Sequence, residues 1–223
     1  MPLNKLKALK LIQLLNQSIK NPETSLKYRN QFTLLTSVVL SAQCTDLNVN
    51  NVTKSIYKKY YTPKHFAGLG IKKIKRMIKS IGLFNMKAKN LYNLSKILVE
   101  KYQSKVPNNF EDLINLPGVG RKTANVVLNA AFNKPTIAVD THVFRVSNRT
   151  GLTKGKNPNQ VEDQLLKILP NKYLKKAHHL ILLHGRYTFK SMNPLCTKCL
   201  INKICIYICR VKELNDGLFL NIQ

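Results

Sequence analysis

Apolar residues recur at the three- and four-residue spacing of an α-helix along almost the whole chain of 223 residues. This spacing places apolar side chains on one face of a helix, whereas a half-buried strand requires a strict alternation that is almost absent here. Clear examples are the stripes at positions 8, 11, 12, 15 and 19 and at positions 91, 94, 98 and 102. The sequence therefore predicts an all-α protein whose interior is mainly Ile, Leu and Val.

Several helix limits are indicated by single residues. Asn109 is expected to cap a short helix that has two carboxylates in its first turn, which suits the positive end of the helix dipole. Asp140 is expected to open a later helix that stops at Gly151, and Gly82 to end a helix with one Lys-rich face. These residues divide the chain into short helices joined by short loops.

The charge of the chain is strongly basic. Its 37 Lys and Arg residues against 10 Asp and Glu residues give a formal net charge of +27. No acidic residue lies between Asp46 and Glu100, and we call this segment the basic stretch. Its cations are Lys54, Lys58, Lys59, Lys64, Lys72, Lys73, Lys75, Arg76, Lys79, Lys87, Lys89 and Lys96. A bias of composition toward Lys accounts for part of the excess, but the clustering predicts a nucleic-acid partner, because binding to phosphates releases condensed counterions.

Other classes of protein are excluded by composition. With 44% hydrophobic and 21% charged residues, the chain is globular rather than generally disordered. No apolar run approaches the roughly 20 residues that cross a bilayer. The N-terminus also lacks the small-residue cleavage site of a secretory signal. We therefore expect a monomer without membrane association, in the cytoplasm of a bacterial-type cell and active at the nucleoid.

The most informative segment is LPGVGRKTA at residues 116–124. Its Pro stops one helix, and Gly118 and Gly120 allow backbone angles that are closed to other residues. The amides at the start of the next helix, beside the positive dipole end, form a site for a phosphate that needs no base contact. A simple tight turn is the alternative, but Arg121 follows directly in a very basic chain. The segment predicts a helix-hairpin-helix motif at about 109–132.

Together with other segments, this motif resembles the endonuclease III family of DNA glycosylases and apurinic/apyrimidinic lyases. The resemblance is carried by LPGVGRKTANVV at 116–127, IAVDTHVFRV at 137–146, LSAQ at 40–43, IGLFN at 81–85 and HGRYT at 184–188. It extends over nearly the whole chain and includes a cysteine cluster near the C-terminus.

The resemblance implies two helical domains. One is a helical barrel at residues 22–132 that contains the hairpin, and the other combines residues 1–21 with residues 133–223. DNA is then expected in the cleft between the domains. The implied partner is double-stranded DNA with damaged bases or abasic sites, and the implied activity is base-excision repair. The enzyme would remove oxidised pyrimidines and cleave the resulting abasic site by β-elimination.

Lys122 and Asp140 are the expected catalytic residues. Lys122 lies in the first helical turn beside Arg121, where the dipole and the neighbouring cation favour the unprotonated amine of a nucleophile. The resemblance implies that this amine displaces the base at C1′ and forms a Schiff base, and that Asp140 assists base departure. Phosphate binding by Lys122 and helix capping by Asp140 are the structural alternatives.

Gln43, Leu83 and Arg145 are further candidates for contact with DNA, beside Gly118, Gly120 and Arg121 of the hairpin. The resemblance implies that Gln43 and Leu83 enter the duplex where the target base leaves the stack. Packing of Leu83 back onto its own helix is the alternative. Arg145 and Arg149 lie four residues apart on one helix face and repel each other, which favours a phosphate between them.

The cysteine cluster has the spacing C-x2-C-x5-C-x3-C at Cys196, Cys199, Cys205 and Cys209. Such density predicts a metal site, either zinc or an iron–sulfur cluster. The resemblance implies a [4Fe–4S] cluster on C-x6-C-x2-C-x5-C, but Phe189 occupies the position of the first cysteine. Three explanations stay open: Cys209 replaces this ligand, three thiolates act with another ligand, or the cluster is lost.

Two other functions compete with the bifunctional enzyme. A monofunctional glycosylase of the same superfamily is one, and Lys122 argues against it because such relatives lack this amine. A non-catalytic helix-hairpin-helix DNA-binding protein is the other, and it would have no need of Asp140. Strand cleavage at an abasic site separates these functions.

Overall fold

The computed structural model of the protein describes residues 3–20 and 22–207. These residues form ten α-helices and a short 3-10 helix and contain no β-strand, so the all-α prediction is confirmed. The helices are α1 (Lys5–Ser18), α2 (Gln31–Ser41), α3 (Asp46–Lys59), α4 (Pro63–Met77), α5 (Phe84–Lys101), α6 (Phe110–Ile114), α7 (Arg121–Phe132), α8 (Thr141–Thr150), α9 (Pro158–Ile168), α10 (Asn171–Tyr187) and the 3-10 helix Cys196–Lys198. No helix of the described residues is both long enough and apolar enough to span a membrane.

The chain divides into two compact units. Unit 1 combines Met1–Pro22 with Val139–Gln223, and unit 2 is Glu23–Ala138. The sequence-based division places the second boundary after residue 132, a few residues earlier. That each unit folds as an independent domain stays a prediction.

Unit 2 is built around α2, which packs against α3, α5 and α7. Its residues from Phe32 to Leu40 are all buried, as expected for a helix surrounded by others. Thr36 and Ser37 are polar exceptions, and each side-chain oxygen lies 2.8 Å from the hydroxyl of Tyr57. The Tyr57 hydroxyl donates in turn to the carbonyl of Thr33, and burial raises the pKa of Tyr57 to about 12. The buried polar groups are thus satisfied within the core.

Unit 1 is organised by α10, which packs against α1 and α8. The contact with α8 is close at Gly185, because a Cβ there would lie 2.9 Å from Cγ2 of Val146. The N-terminal segment joins the same unit, since the amide of Leu3 donates to the carbonyl of Gly151 at 2.7 Å. The first helix therefore shares one core with α8 and α10.

Candidate DNA interface and catalytic residues

The predicted hairpin connects α6 to α7. Asn109 caps α6 by accepting from the amide of Asp112 at 2.8 Å, as the sequence indicated. Two turns follow. In the first, the amide of Leu116 donates to the carbonyl of Leu113, and in the second, the amide of Val119 donates to the carbonyl of Leu116. Leu116 and Val119 are buried, and they anchor the turn to the core of unit 2.

Gly118 occupies a position that other residues cannot take without strain. Its φ is +81°, in the left-handed region. A Cβ at this position would lie 2.8 Å from Nδ2 of Asn90, a residue of α5. Gly120 differs, because its φ is −96° and nothing lies within 4 Å of a Cβ built there. The two glycines therefore serve different purposes, one for backbone geometry and the other for open space at the helix start.

The first turn of α7 carries the predicted nucleophile. Gly120 is the N-cap and supplies no side chain to bond the first amides of the helix. Arg121 and Lys122 follow, and both are exposed. The guanidinium of Arg121 lies 5.3 Å from the ring centroid of Phe110, which attaches it to the other helix of the hairpin. The positive end of the helix dipole and two cations favour an anion at this helix start, and phosphate binding there stays a prediction.

Gln43 and Leu83 lie on two adjacent loops, at residues 42–45 and 78–83. Both residues are exposed, and both have a left-handed backbone, with φ of 53° and 59°. A Cβ built on Gly82 would lie 3.8 Å from the carbonyl oxygen of Gln43, so the two loops lie next to each other. Leu83 is 50% exposed, so half of its surface is open to solvent. The structure brings these two predicted residues together.

The basic stretch is a solvated surface with one exception. Ten of its twelve cations are exposed and Lys75 is half-buried, but Lys87 is 2% exposed. Sequence reasoning grouped Lys87 with the DNA-facing cations and missed its different environment. The signal was present, because Lys87 lies four residues before Leu91 and thus continues the buried stripe of α5.

Asp140 lies at the N-terminus of α8 in unit 1. Its Oδ1 accepts from the amide of Val143 at 2.8 Å, so it is the N-cap of this helix. The capping role that the sequence offered as an alternative is therefore real. The side chain is half-exposed. Burial lowers the pKa of His142, and the charge of Asp140 partly opposes this effect.

Arg145 is directed into unit 1. Its Nη2 donates to the carbonyls of Gly185 and Phe189 at 2.9 and 3.0 Å. Burial lowers the pKa of Arg145, and the nearby charge of Arg149 acts in the same direction. Arg149 donates to the carbonyl of Ser191 at 3.1 Å. The two arginines thus hold the loop after α10, and a phosphate contact of Arg145 stays a prediction.

Phe189 is 1% exposed and fills a core position. It stacks on His184 with a centroid distance of 5.9 Å and meets Tyr207 edge-on at 5.3 Å. Cys199 lies next to this group, with Sγ 3.7 Å from Nε2 of His184. Burial raises the thiol pKa of Cys199 and of Cys205.

The predicted metal site is incomplete within the part of the chain that the structure describes. Cys196, at the start of the 3-10 helix, is disulfide-bonded, and Cys199 and Cys205 are free thiols. No three Cys, His, Asp or Glu side chains among the described residues are grouped so that they could hold a metal ion. These residues alone do not fit a [4Fe–4S] cluster, and Cys209 lies outside the described residues.

Known proteins are similar to this chain in both sequence and architecture. Residues 36–171 match the HhH-GPD superfamily of base excision DNA repair proteins. Endonuclease III of Rickettsia conorii is 54% identical over 203 residues, which cover 91% of this chain and 97% of the relative. This chain belongs to the endonuclease III family. Endonuclease III of Escherichia coli K12 is 47% identical over 205 residues, covering 92% of this chain and 97% of the relative.

A solved structure extends the endonuclease III match to three dimensions. It is a trapped covalent intermediate of endonuclease III with DNA, in an estranged-adenine complex, and has a TM-score of 0.86 at 41% identity. The match covers 92% of this chain and 97% of that one. The family predicted from the sequence is confirmed, and membership in it makes the chain a base-excision DNA repair enzyme.

Proposed function

We propose that this protein excises oxidised pyrimidines from duplex DNA and cleaves the abasic site through a Schiff base on Lys122. The observation that carries this proposal is the placement of Lys122. It is an exposed amine in the first turn of α7, directly after the glycine hairpin, in a chain of the endonuclease III family. Phosphate binding at the hairpin would bring the sugar of a bound strand close to this amine.

The proposed reaction begins with attack of Lys122 Nζ on C1′ of the damaged nucleotide. The bond from C1′ to the base breaks, and its electron pair leaves with the base, which takes up a proton. Loss of a proton from the nitrogen and opening of the sugar ring give the Schiff base. Removal of a proton from C2′ then expels the 3′ phosphate, and water releases the enzyme.

We assign the supporting charge to Asp140. A carboxylate stabilises the positive charge that develops on the sugar as the base departs, and it can accept the proton released by the attacking amine. The cap bond to Val143 uses Oδ1 and fixes the orientation of the carboxylate. The same side chain would thus begin α8 and present a negative charge to the reaction.

Entry of Gln43 and Leu83 into the duplex is the proposed means of extruding the target nucleotide. Extrusion costs a few kcal/mol of stacking and pairing, which inserted side chains partly replace. The exposure of Leu83 and the proximity of the two loops support this assignment. The many exposed cations of the basic stretch supply affinity that is independent of sequence.

We propose that, once the disulfide of Cys196 is reduced, a metal is bound by Cys196, Cys199 and Cys205 with Cys209 as the fourth thiolate. Thiolates suit both a [4Fe–4S] cluster and zinc, and the cluster is expected because the family match covers nearly the whole chain. Absorbance near 400 nm with iron and sulfide in the purified protein supports the cluster. Zinc in place of iron supports the alternative, and protein without either metal contradicts the site.

The proposed function is tested by measuring base release and strand cleavage separately on one duplex with a single oxidised pyrimidine. We expect wild type to perform both, and Lys122→Ala to lose both. Lys167→Ala, which removes an exposed lysine of α9, should keep both activities. Base release without strand cleavage by wild type would instead indicate a monofunctional glycosylase.

A further inference from the structure

Lys87 is a buried cation within a surface otherwise rich in exposed ones. It lies on the first turns of α5, in register with the buried Leu91 and Leu94, and only 2% of its surface is exposed. An ammonium group is almost never buried unless its charge is compensated by bonds. The bonds that Lys87 makes therefore indicate what it does.

The ammonium group of Lys87 caps the C-terminal end of helix α2. Its Nζ donates to the carbonyl of Leu40 at 2.9 Å and to the carbonyl of Ala42 at 2.6 Å. The last carbonyls of a helix have no partner within the helix, and they form the negative end of its dipole. A buried cation at this point satisfies both needs, and Gln43 is the next residue along the chain.

The other loop is attached to α5 by the ordinary hydrogen bond of the first helical turn, which any residue other than proline would make at position 87. The amide of Lys87 donates to the carbonyl of Leu83 at 3.0 Å. One residue therefore bonds to the residue before Gln43 through its side chain and to Leu83 through its main chain. Asn48 adds a second link, since its Nδ2 lies 3.3 Å from Sγ of Cys44 and 3.3 Å from the carbonyl of Ser80.

Both loops need such support because of their backbone conformation. Gln43 and Leu83 have φ of 53° and 59°, a region that residues other than glycine seldom occupy. Strained residues of this kind persist only where their surroundings fix them. With both residues exposed, the support must come from beneath the loops, where Lys87 lies.

We propose that Lys87 is a positioning residue that joins the 42–45 loop and the 78–83 loop into one rigid unit, so that Gln43 and Leu83 enter the duplex together. This inference rests on the proposed function, in which the two side chains replace the extruded nucleotide. Without the ammonium group, the carbonyls of Leu40 and Ala42 lose their partner and the 42–45 loop relaxes. Lys87 itself never needs to touch DNA.

This role predicts an unequal effect on two reactions of the same enzyme. An intact damaged base must be unpaired and unstacked before excision, whereas a preformed abasic site is extruded at lower cost. Loss of Lys87 should therefore slow base excision much more than cleavage of a preformed abasic site. A cation that only binds phosphate would affect both reactions equally.

The test compares Lys87→Met with Lys89→Met in single-turnover assays on both substrates. The second variant removes an exposed charge two residues away on the same helix. For Lys87→Met we expect at least about a tenfold loss in excision, the effect of losing hydrogen bonds to a charged group, with less than about a threefold loss on the abasic site. Lys89→Met should lower both rates by one common factor. An equal ratio of the two rates in both variants would overturn the proposal.

A double-mutant cycle with Leu83→Ala tests the route of the effect. If Lys87 acts through the loops, Lys87→Met should slow excision less than about twofold in the Leu83→Ala background. A full, multiplicative loss there would contradict the proposal. Thermal melting followed by circular dichroism checks the fold. If Lys87→Met is unfolded, Lys87→Gln, which keeps an N–H donor, takes its place. We then expect excision again to slow more than abasic-site cleavage, but by a smaller factor.

A fluorescence measurement separates this proposal from the proposed function. With 2-aminopurine next to an oxidised pyrimidine on a sugar analogue that resists excision, extrusion of the damaged nucleotide raises the fluorescence without any chemistry. Wild type and Lys89→Met should raise it at saturating protein, and Lys87→Met should raise it much less. If wild type unstacks the duplex but shows no excision or cleavage, the proposed function fails while positioning by Lys87 stands. Equal fluorescence with all three proteins refutes the positioning role of Lys87 and leaves the proposed function untouched.

Discussion

Asp140 illustrates how one side chain can serve the fold and the proposed chemistry. Its Oδ1 caps α8 through the amide of Val143. Its negative charge is the one that we propose stabilises the sugar as the base departs. Asparagine caps helices about as well as aspartate but carries no charge. The two roles can therefore be separated by substitution.

We expect Asp140→Asn to keep the stability of wild type and Asp140→Ala to lose about 1 kcal/mol, because only the second removes the cap. Both should excise bases at least about tenfold more slowly, because both remove the charge. Urea unfolding and single-turnover excision provide the two measurements. Excision by Asp140→Asn at the wild-type rate would show that the residue is only a cap.

Gly118 and Gly120 provide a matched pair at the hairpin. Gly118→Ala places a side chain at φ of +81° and against Asn90, so we expect a loss of about 1–2 kcal/mol in the free energy of unfolding. Gly120→Ala meets open space at an ordinary φ, so only the poorer N-cap of alanine acts, and the loss should stay below about 1 kcal/mol. Equal stability of the two variants in urea unfolding would refute the strain at Gly118.

The contrast between Lys122 and Lys87 shows how far single residues can be interpreted from sequence. Lys122 follows a hairpin in which Gly118 has a conformational requirement, so its place at a helix start follows from local rules. Lys87 makes contacts with α2, more than forty residues away, and no local pattern contains this information. Its position on the buried stripe of α5 indicates burial but not its partners.

At the scale of helices, caps and stops were predicted well and interruptions less well. Asn109 caps α6, and Gly151 ends α8 with φ of 86°. Gly82 was expected to end α4, but that helix ends at Met77 and a turn follows, in which the amide of Ile81 donates to Ile78. Gly70 breaks α4 with φ of 70°, a kink that the regular apolar spacing does not reveal.

The exposed face of α4 should contribute to DNA affinity through its charge. We expect Lys72→Gln with Lys73→Gln to reduce the slope of log affinity against log salt by about 1.8, which corresponds to two phosphate contacts. Lys167→Gln, on α9 in unit 1, should leave the slope unchanged. Fluorescence anisotropy on undamaged duplex over a series of salt concentrations measures both. An unchanged slope in the double variant would remove α4 from the interface.

At the scale of the whole molecule, stability should depend on pH through the buried histidines His179 and His184, since burial lowers the pKa of each to about 4. His179 lies on α10 beside His178. At each of the two residues the unfolded chain takes up a proton near pH 6.5 while the folded chain does not, so stability is full above pH 6.5 and falls as the pH drops toward 4. As the pH falls from 7 to 5, His179 alone should lower the free energy of unfolding by about 2 kcal/mol.

Urea unfolding at pH 7 and pH 5 tests this dependence. We expect His179→Asn to lose less stability than wild type over this interval, by about 2 kcal/mol. His65→Asn removes an exposed histidine of unit 2 and should keep the wild-type difference. A wild-type pH dependence in His179→Asn would show that other groups cause the loss.

The order of helices in the chain could be predicted, but the two-unit arrangement could not be derived from periodicity. Helical spacing indicates which faces are buried without indicating against which partner. The return of the N-terminal segment to α8 and α10 is a long-range contact, seen in the bond from Leu3 to Gly151. The likeness to the endonuclease III family supplied that information at the level of sequence.

Reduction with borohydride on DNA with an abasic site tests the central claim most directly. The reagent converts a Schiff base between protein and DNA into a stable covalent bond. We predict a cross-linked product with wild type and with Lys167→Ala, and none with Lys122→Ala. Cross-linking of Lys122→Ala at the wild-type level, or no cross-link with wild type, would contradict a Schiff base on Lys122.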